Sequence, residues 1–158
     1  MIIIGIDPGY GRCGFAILEK KDRDVSLLSS GVITTSAQKV FSNRLLEIVE
    51  DFESLLKKYN PEILSIEDLF FVENVTTGIP VAQVRGALMY LASRYGLRIC
   101  EPKPVEIKKS FTGNGKATKE DMKRMVHLIF KDHKIQQIDD AADAIAAAHY
   151  ACLLEAGL

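Results

Sequence analysis

Residues 2–35 read IIIGIDPGYGRCGFAILEKKDRDVSLLSSGVITT, and their pattern decides the fold class. The run IIIGID at 2–7 is short, apolar and β-branched, as in a strand buried on both faces. DPGYGRCG follows as a turn rich in Gly and Pro. GFAILEKK alternates well enough for a second strand, the polar KDRD turns the chain again, and VSLLSSGVITT makes a third. Three strands joined by short connections predict an antiparallel meander.

Downstream the period changes. From about Lys39 to Tyr59 the residues Val40, Leu45, Ile48, Val49, Phe52, Leu55 and Leu56 recur at helical spacing, and Asn60-Pro61 stops the helix. EILSIED at 62–68 is a fourth strand. The helix before it serves as a crossover, which returns the strand parallel to an earlier one. A second helix is expected over roughly 79–95, ending near Gly96, and LRICEP at 97–102 is a fifth strand. Helices over about 104–110, 118–131 and 140–155 close the chain. The order βββαβαβ followed by helices predicts one α/β domain over 1–158, a five-stranded mixed sheet flanked by helices on both faces. No internal repeat, low-complexity tract or linker interrupts it.

Composition narrows the function classes. The chain has 158 residues, 47% apolar and 26% charged, values ordinary for a soluble globular protein. No stretch approaches the roughly 20 consecutive apolar residues of a membrane span. The N-terminus MIIIGID lacks the basic region and cleavage site of a signal peptide, so a cytoplasmic protein is expected. Cys13, Cys100 and Cys152 are odd in number and contain no CxxC. His127, His133 and His149 show no metal-ligand spacing. Soft-metal and thiol-redox chemistry are therefore not indicated. Net charge is −1, but residues 103–124 hold seven Lys and Arg against three acidic residues. Segregation of that kind makes a phosphate-binding face on a nearly neutral protein.

The chemistry rests on carboxylates. Asp7 and Glu67 each end a strand, and if those strands are parallel neighbours both side chains emerge at one sheet edge, where α/β ligand sites collect. Asp140 and Asp143, spaced i, i+3, share a face at the start of the last helix; Asp139 and Asp143, at i, i+4, would do so equally well. Four converging carboxylates repel one another unless a hard divalent cation such as Mg²⁺ joins them. Two such ions suit phosphodiester hydrolysis.

IGIDPG at 4–9, IED at 66–68 with Phe70-Phe71 after it, and DAADAIAAAHY at 140–150 together resemble the RuvC family of Holliday-junction resolvases, over essentially the whole chain. The resemblance implies an RNase H-like fold and a homodimer that nicks four-way junction DNA symmetrically during recombination and repair. It implies Mg²⁺, with Mn²⁺ substituting, held as two ions by Asp7, Glu67, Asp140 and Asp143, and so favours Asp140 over Asp139. Asp68 would point away from Glu67 in an extended strand. Phe70 matches the family's base-stacking wedge, with Phe71 beside it. Lys108 and Lys119 match basic positions that contact DNA, and Lys116 in the TGNGKAT loop is a further candidate, with Gly113 and Gly115 able to bring backbone near a phosphate. The helix containing VAQVRGALMYLASRY would lie near the dimer interface, and a branch-migration motor is the implied partner.

Three other readings share some of these features. An actin-like or kinase-like ATPase opens with a similar IGIDPG but needs a second subdomain, for which 158 residues leave no room. An RNase H-like nuclease acting on structured RNA would differ only in substrate. A non-catalytic junction-binding module would gain by losing its negative charges, yet all four carboxylates are present.

Overall fold

The computed structural model describes residues 1–69, 75–130 and 141–157. Strands β1 (Ile2–Asp7), β2 (Arg12–Lys21) and β3 (Asp24–Thr34) form the expected antiparallel meander. Helix α1 (Phe41–Tyr59) carries the chain across to β4 (Ile63–Ile66), which pairs parallel to β1. Helix α2 (Val75–Arg94) leads to β5 (Arg98–Cys100), parallel to β4. The sheet order is β3-β2-β1-β4-β5, which puts β1 at the centre. Helices α3 (Pro104–Thr112), α4 (Lys119–Ile129) and α5 (Ala142–Leu154) complete the described elements.

Two hydrophobic cores sandwich the sheet. Ile3, Ala16, Leu18 and Ile63 pack on one face against α3, α4 and α5. Ile4, Ile6, Ile17, Leu64 and Ile66 pack on the other against Ile48, Phe52 and Leu56 of α1 and Val84, Leu88 and Ala92 of α2. The alternation along β1 explains its continuous apolar run, since consecutive side chains enter opposite cores. Helix α5 is apolar on every side because it lies buried across the sheet, with eight of its residues buried. Its small side chains let it approach β1 closely. A Cβ on Gly5 would lie 2.2 Å from the carbonyl oxygen of Ala144 and 2.7 Å from the Cβ of Ala148. The Ser65 hydroxyl, fully buried, donates to the Ala147 carbonyl at 2.6 Å and fastens the same helix to β4.

Helix ends follow local chemistry. Asn60 takes the left-handed conformation (φ 46°) at the end of α1, ahead of Pro61. Thr118 caps α4 by accepting from the Asp121 N–H at 3.2 Å, while the Asp121 carboxylate accepts the Thr118 N–H at 3.0 Å. Helix α2 departs from its expected start at 79: it begins at Val75 and holds Pro80 in its second turn. Pro80 has no N–H to offer the Thr76 carbonyl, so one helical hydrogen bond is forgone without ending the helix. Gly113 caps α3 with φ 78°, and Gly115 lies against Val105. These two glycines thus have local structural duties in the turn.

Candidate active site

The register of the sheet brings the acidic strand ends together. Asp7 is the last residue of β1, and Glu67 follows the last residue of the parallel neighbour β4. The Glu67 N–H donates to the Ile6 carbonyl at 3.3 Å and continues the ladder up to the site. Asp7 shares its face of the sheet with Ile3 and Gly5, and Glu67 shares the same face with Ile63 and Ser65. That is the face covered by α5, whose first turn holds Asp143. Asp7, Glu67 and Asp143 accordingly line one cleft of about 280 Å³, together with Lys108 of α3 and Lys119 of α4.

Electrostatics within the cleft bear the signature of crowded, half-dry carboxylates. Burial pushes Asp7 up to about 6, repulsion from Asp143 adds to the shift, and Lys119 opposes it. Glu67 rises to about 7 through burial and the charges of Asp7 and Asp143, with Lys108 and Lys119 in opposition. Two lysines therefore only partly offset the negative charge. Sharing a cleft is a looser condition than sharing an ion: among the described residues, no three His, Cys, Asp or Glu side chains are grouped tightly enough to hold a metal by themselves. As a donor set the residues are all oxygen and anionic, which suits a hard divalent cation and not a soft one. The nearby Cys13 thiol is held at about 12, chiefly by burial, and stays neutral. His149 is lowered by burial and packs edge-to-face on Phe111, with ring centroids 5.3 Å apart. Neither lines the cleft with the carboxylates.

The backbone around the acids is tied down from the opposite side. Arg85 of α2, with 14% of its side chain exposed, donates from Nε to the Glu67 carbonyl at 3.1 Å. Its guanidinium also pairs with Asp68 at 3.5 Å and with Glu101. Asp68 thus lies outside the cleft, as its place in an extended segment requires. The turn after Asp7 is held by Thr35, whose hydroxyl donates to the Tyr10 carbonyl at 2.6 Å, and by Arg44, which sits 4.6 Å over the Tyr10 ring.

Of the residues singled out in the sequence, the structure gathers Asp7, Glu67, Asp143, Lys108 and Lys119. Lys116 is exposed in the loop before α4 and does not line the cleft; its N–H donates to the Asn114 side chain at 3.0 Å. Asp140 and Phe70, with Asp139 and Phe71, lie outside the described residues. Arg12 and Arg85 escaped the sequence reading, and Lys123 figured in it only as part of the basic stretch 103–124. Arg12 and Lys123 flank Asp7 on its other side, and Arg85 supports Glu67 from behind.

Comparison with known proteins converges on one family. The family model described as crossover junction endodeoxyribonuclease RuvC matches residues 3–150. The RuvC of Thermosipho melanesiensis is 43% identical over 148 residues, covering 94% of each chain. That of Petrotoga mobilis is 41% identical and covers 94% of this chain and 91% of its own. Among solved structures, Thermus thermophilus RuvC in complex with a Holliday junction substrate superposes with a TM-score of 0.88 at 28% identity, covering 99% of this chain and 96% of that one. The yeast mitochondrial Holliday junction resolvase Ydc2, at 16% identity, shares the fold with a TM-score of 0.73 over 98% of this chain and 78% of that chain. The five-stranded mixed sheet with helices on both faces is the RNase H-like fold, and the chain belongs to the RuvC family of crossover junction endodeoxyribonucleases.

Proposed function

We propose that this chain is a structure-selective endonuclease that resolves four-way (Holliday) DNA junctions by paired symmetric nicks during recombination and repair. The observation that carries the reading is the convergence of Asp7, Glu67 and Asp143 with Lys108 and Lys119 in one cleft of a RuvC-family chain. An anionic cluster bordered by lysines suits a phosphodiester that arrives with divalent cations, and it repels one that arrives alone.

Asp7, Glu67 and Asp143, with Asp140, would hold Mg²⁺, two ions per site, with Mn²⁺ as a substitute. Such ions, when bound, make water more acidic and stabilise charge on the phosphate and leaving oxygens. The chain's own residues supply position and counter-charge. Strands β1 and β4 fix Asp7 and Glu67 side by side, and Arg85 locks the Glu67 backbone. Lys108 and Lys119 offset negative charge at the mouth and draw the phosphate in. Phe70 would stack on a base at the junction centre, and Lys116 would meet backbone further out.

A homodimer places two sites on a two-fold junction, so that symmetric strands are cut. The outward face of α2 suits that contact: Ile79 and Tyr90 are 52% and 64% exposed, and a Cβ at Gly86 would meet nothing within 4 Å. No helix of the described residues is long and apolar enough to cross a membrane. The family reading would place the action on DNA in the cytoplasm, with a branch-migration motor as partner.

The direct test incubates the protein with a labelled immobile four-way junction, a matched duplex and a structured RNA, with Mg²⁺ or with chelator, Asp7→Asn in parallel. Symmetric nicks on the junction alone, lost with chelator and in the variant, are the expected result. Binding without cutting under every divalent ion would defeat the catalytic reading, and cutting of RNA alone would redirect the substrate.

A further inference from the structure

A second cleft, of about 230 Å³, opens on the β2 side of Asp7. Asp7, Lys119 and Asp143 line both clefts, so the two are arms of one groove with the carboxylates at the divide. The second arm adds Arg12 and Lys123. Asp7 pairs directly with Gly14 across the antiparallel ladder, which puts Arg12, two residues earlier in β2, on the same face and just beyond the end of β1. Gly14 brings no side chain between them. Lys119 and Lys123, one turn apart on α4, share a helix face above the same space. Cations from a strand and from a helix thus border a groove that runs past the acidic centre.

We infer that the second arm is a binding subsite for the backbone phosphate next to the scissile one in the cleaved strand, with Arg12 and Lys123 supplying its counter-charge. The inference rests on the endonuclease reading. The Asp7 and Asp143 carboxylates repel a lone phosphate from the divide, which seats it toward Arg12 and Lys123. A guanidinium can grip two phosphate oxygens at once, whereas an ammonium acts as a point charge. Residency of an adjacent phosphate would hold the scissile linkage in register over the carboxylates.

The test couples protein charge to phosphate charge. Four-way junctions carrying a single neutral methylphosphonate at each of the two linkages on either side of the cut are compared with the native junction. Cleavage is followed in Mg²⁺, and binding is followed by anisotropy across a salt series in chelator. The proteins are wild type, Arg12→Ala, Arg12→Lys, Lys123→Ala, and Lys21→Ala at the far end of β2 as a charge control. On the native junction, Arg12→Ala and Lys123→Ala are expected to weaken binding on the order of tenfold each. Each should also reduce the slope of log Kd against log salt by about 1. Arg12→Lys keeps the slope, and Lys21→Ala changes nothing. At one neutralised linkage the wild type should lose the same amount and the two alanine variants should lose no more. Full additivity at every linkage, or an equal effect from Lys21→Ala, would overturn the subsite. A wild type that cuts no four-way junction would instead bring down the endonuclease reading and this inference with it.

Discussion

Gly5→Ala puts a single methyl where β1 and α5 come closest. Its Cβ would stand 2.2 Å from the Ala144 carbonyl oxygen, about 0.8 Å inside the 3.0 Å limit that real Cβ contacts keep. The opposing atom is backbone and cannot rotate away, so the whole helix must lift or slide. Overpacking of this sort costs about 1–3 kcal/mol, and a rigid partner puts the cost near the upper end. For a chain of this size about 3 kcal/mol lowers Tm by roughly 6–12 °C. Activity should fall further than stability. Ala144 follows Asp143, so any displacement of α5 carries that carboxylate away from Asp7 and Glu67, and a misplacement near 1 Å costs about 100-fold in rate. Junction affinity in chelator should stay near wild type, because Lys108 and Lys119 ride on α3 and α4. Thermal melts and single-turnover junction cleavage read the two effects separately. A variant that melts with the wild type and cuts at its rate would refute the claim that this close approach sets the carboxylate geometry.

Three other outcomes are expected. Because the folded chain raises Asp7 to about 6 from 3.8, ionisation at this position opposes folding: the stability held below the unfolded value is lost as pH rises through 6. In chelator at about pH 8, Asp7→Asn should therefore be more stable than wild type by about 2–3 kcal/mol, the gap closing toward pH 4; calorimetry showing a less stable variant would contradict it. Arg85→Lys cannot reproduce the fork that joins the Glu67 carbonyl, Asp68 and Glu101, and should cost about 1.5–3 kcal/mol in urea unfolding with a loss in kcat larger than any rise in KM. Wild-type behaviour in both assays would detach Arg85 from the site. A Cβ at Gly86 would meet nothing within 4 Å, so Gly86→Arg should fold as the wild type does while sedimentation shows monomer in place of the proposed dimer; an intact dimer would move the interface off α2.

Much of this was legible in the residues. The doubly buried strand at 2–7, the meander after it and the crossover to EILSIED follow from apolar period and turn chemistry, which are local properties. So is the placement of Asp7 and Glu67 at strand ends, and with it the expectation that they emerge together. Spacing left the partner of Asp143 open between Asp139 and Asp140, the resemblance favoured Asp140, and both lie outside the described residues. Tertiary structure alone decided the rest. The β1–β4 pairing turned two strand ends 60 residues apart into one cleft. The β1–β2 register put Arg12 on the face of Asp7, a relation that no spacing along the chain expresses. Lys108 and Lys119 were separated from Lys116, their neighbour in the same basic stretch, by the direction each side chain takes from its helix or loop. Helix α2 begins at Val75, four residues ahead of the expected start, with Pro80 inside it. Period and spacing report on a chain's local preferences; which charges finally face one another depends on how sheet and helices close over a shared core.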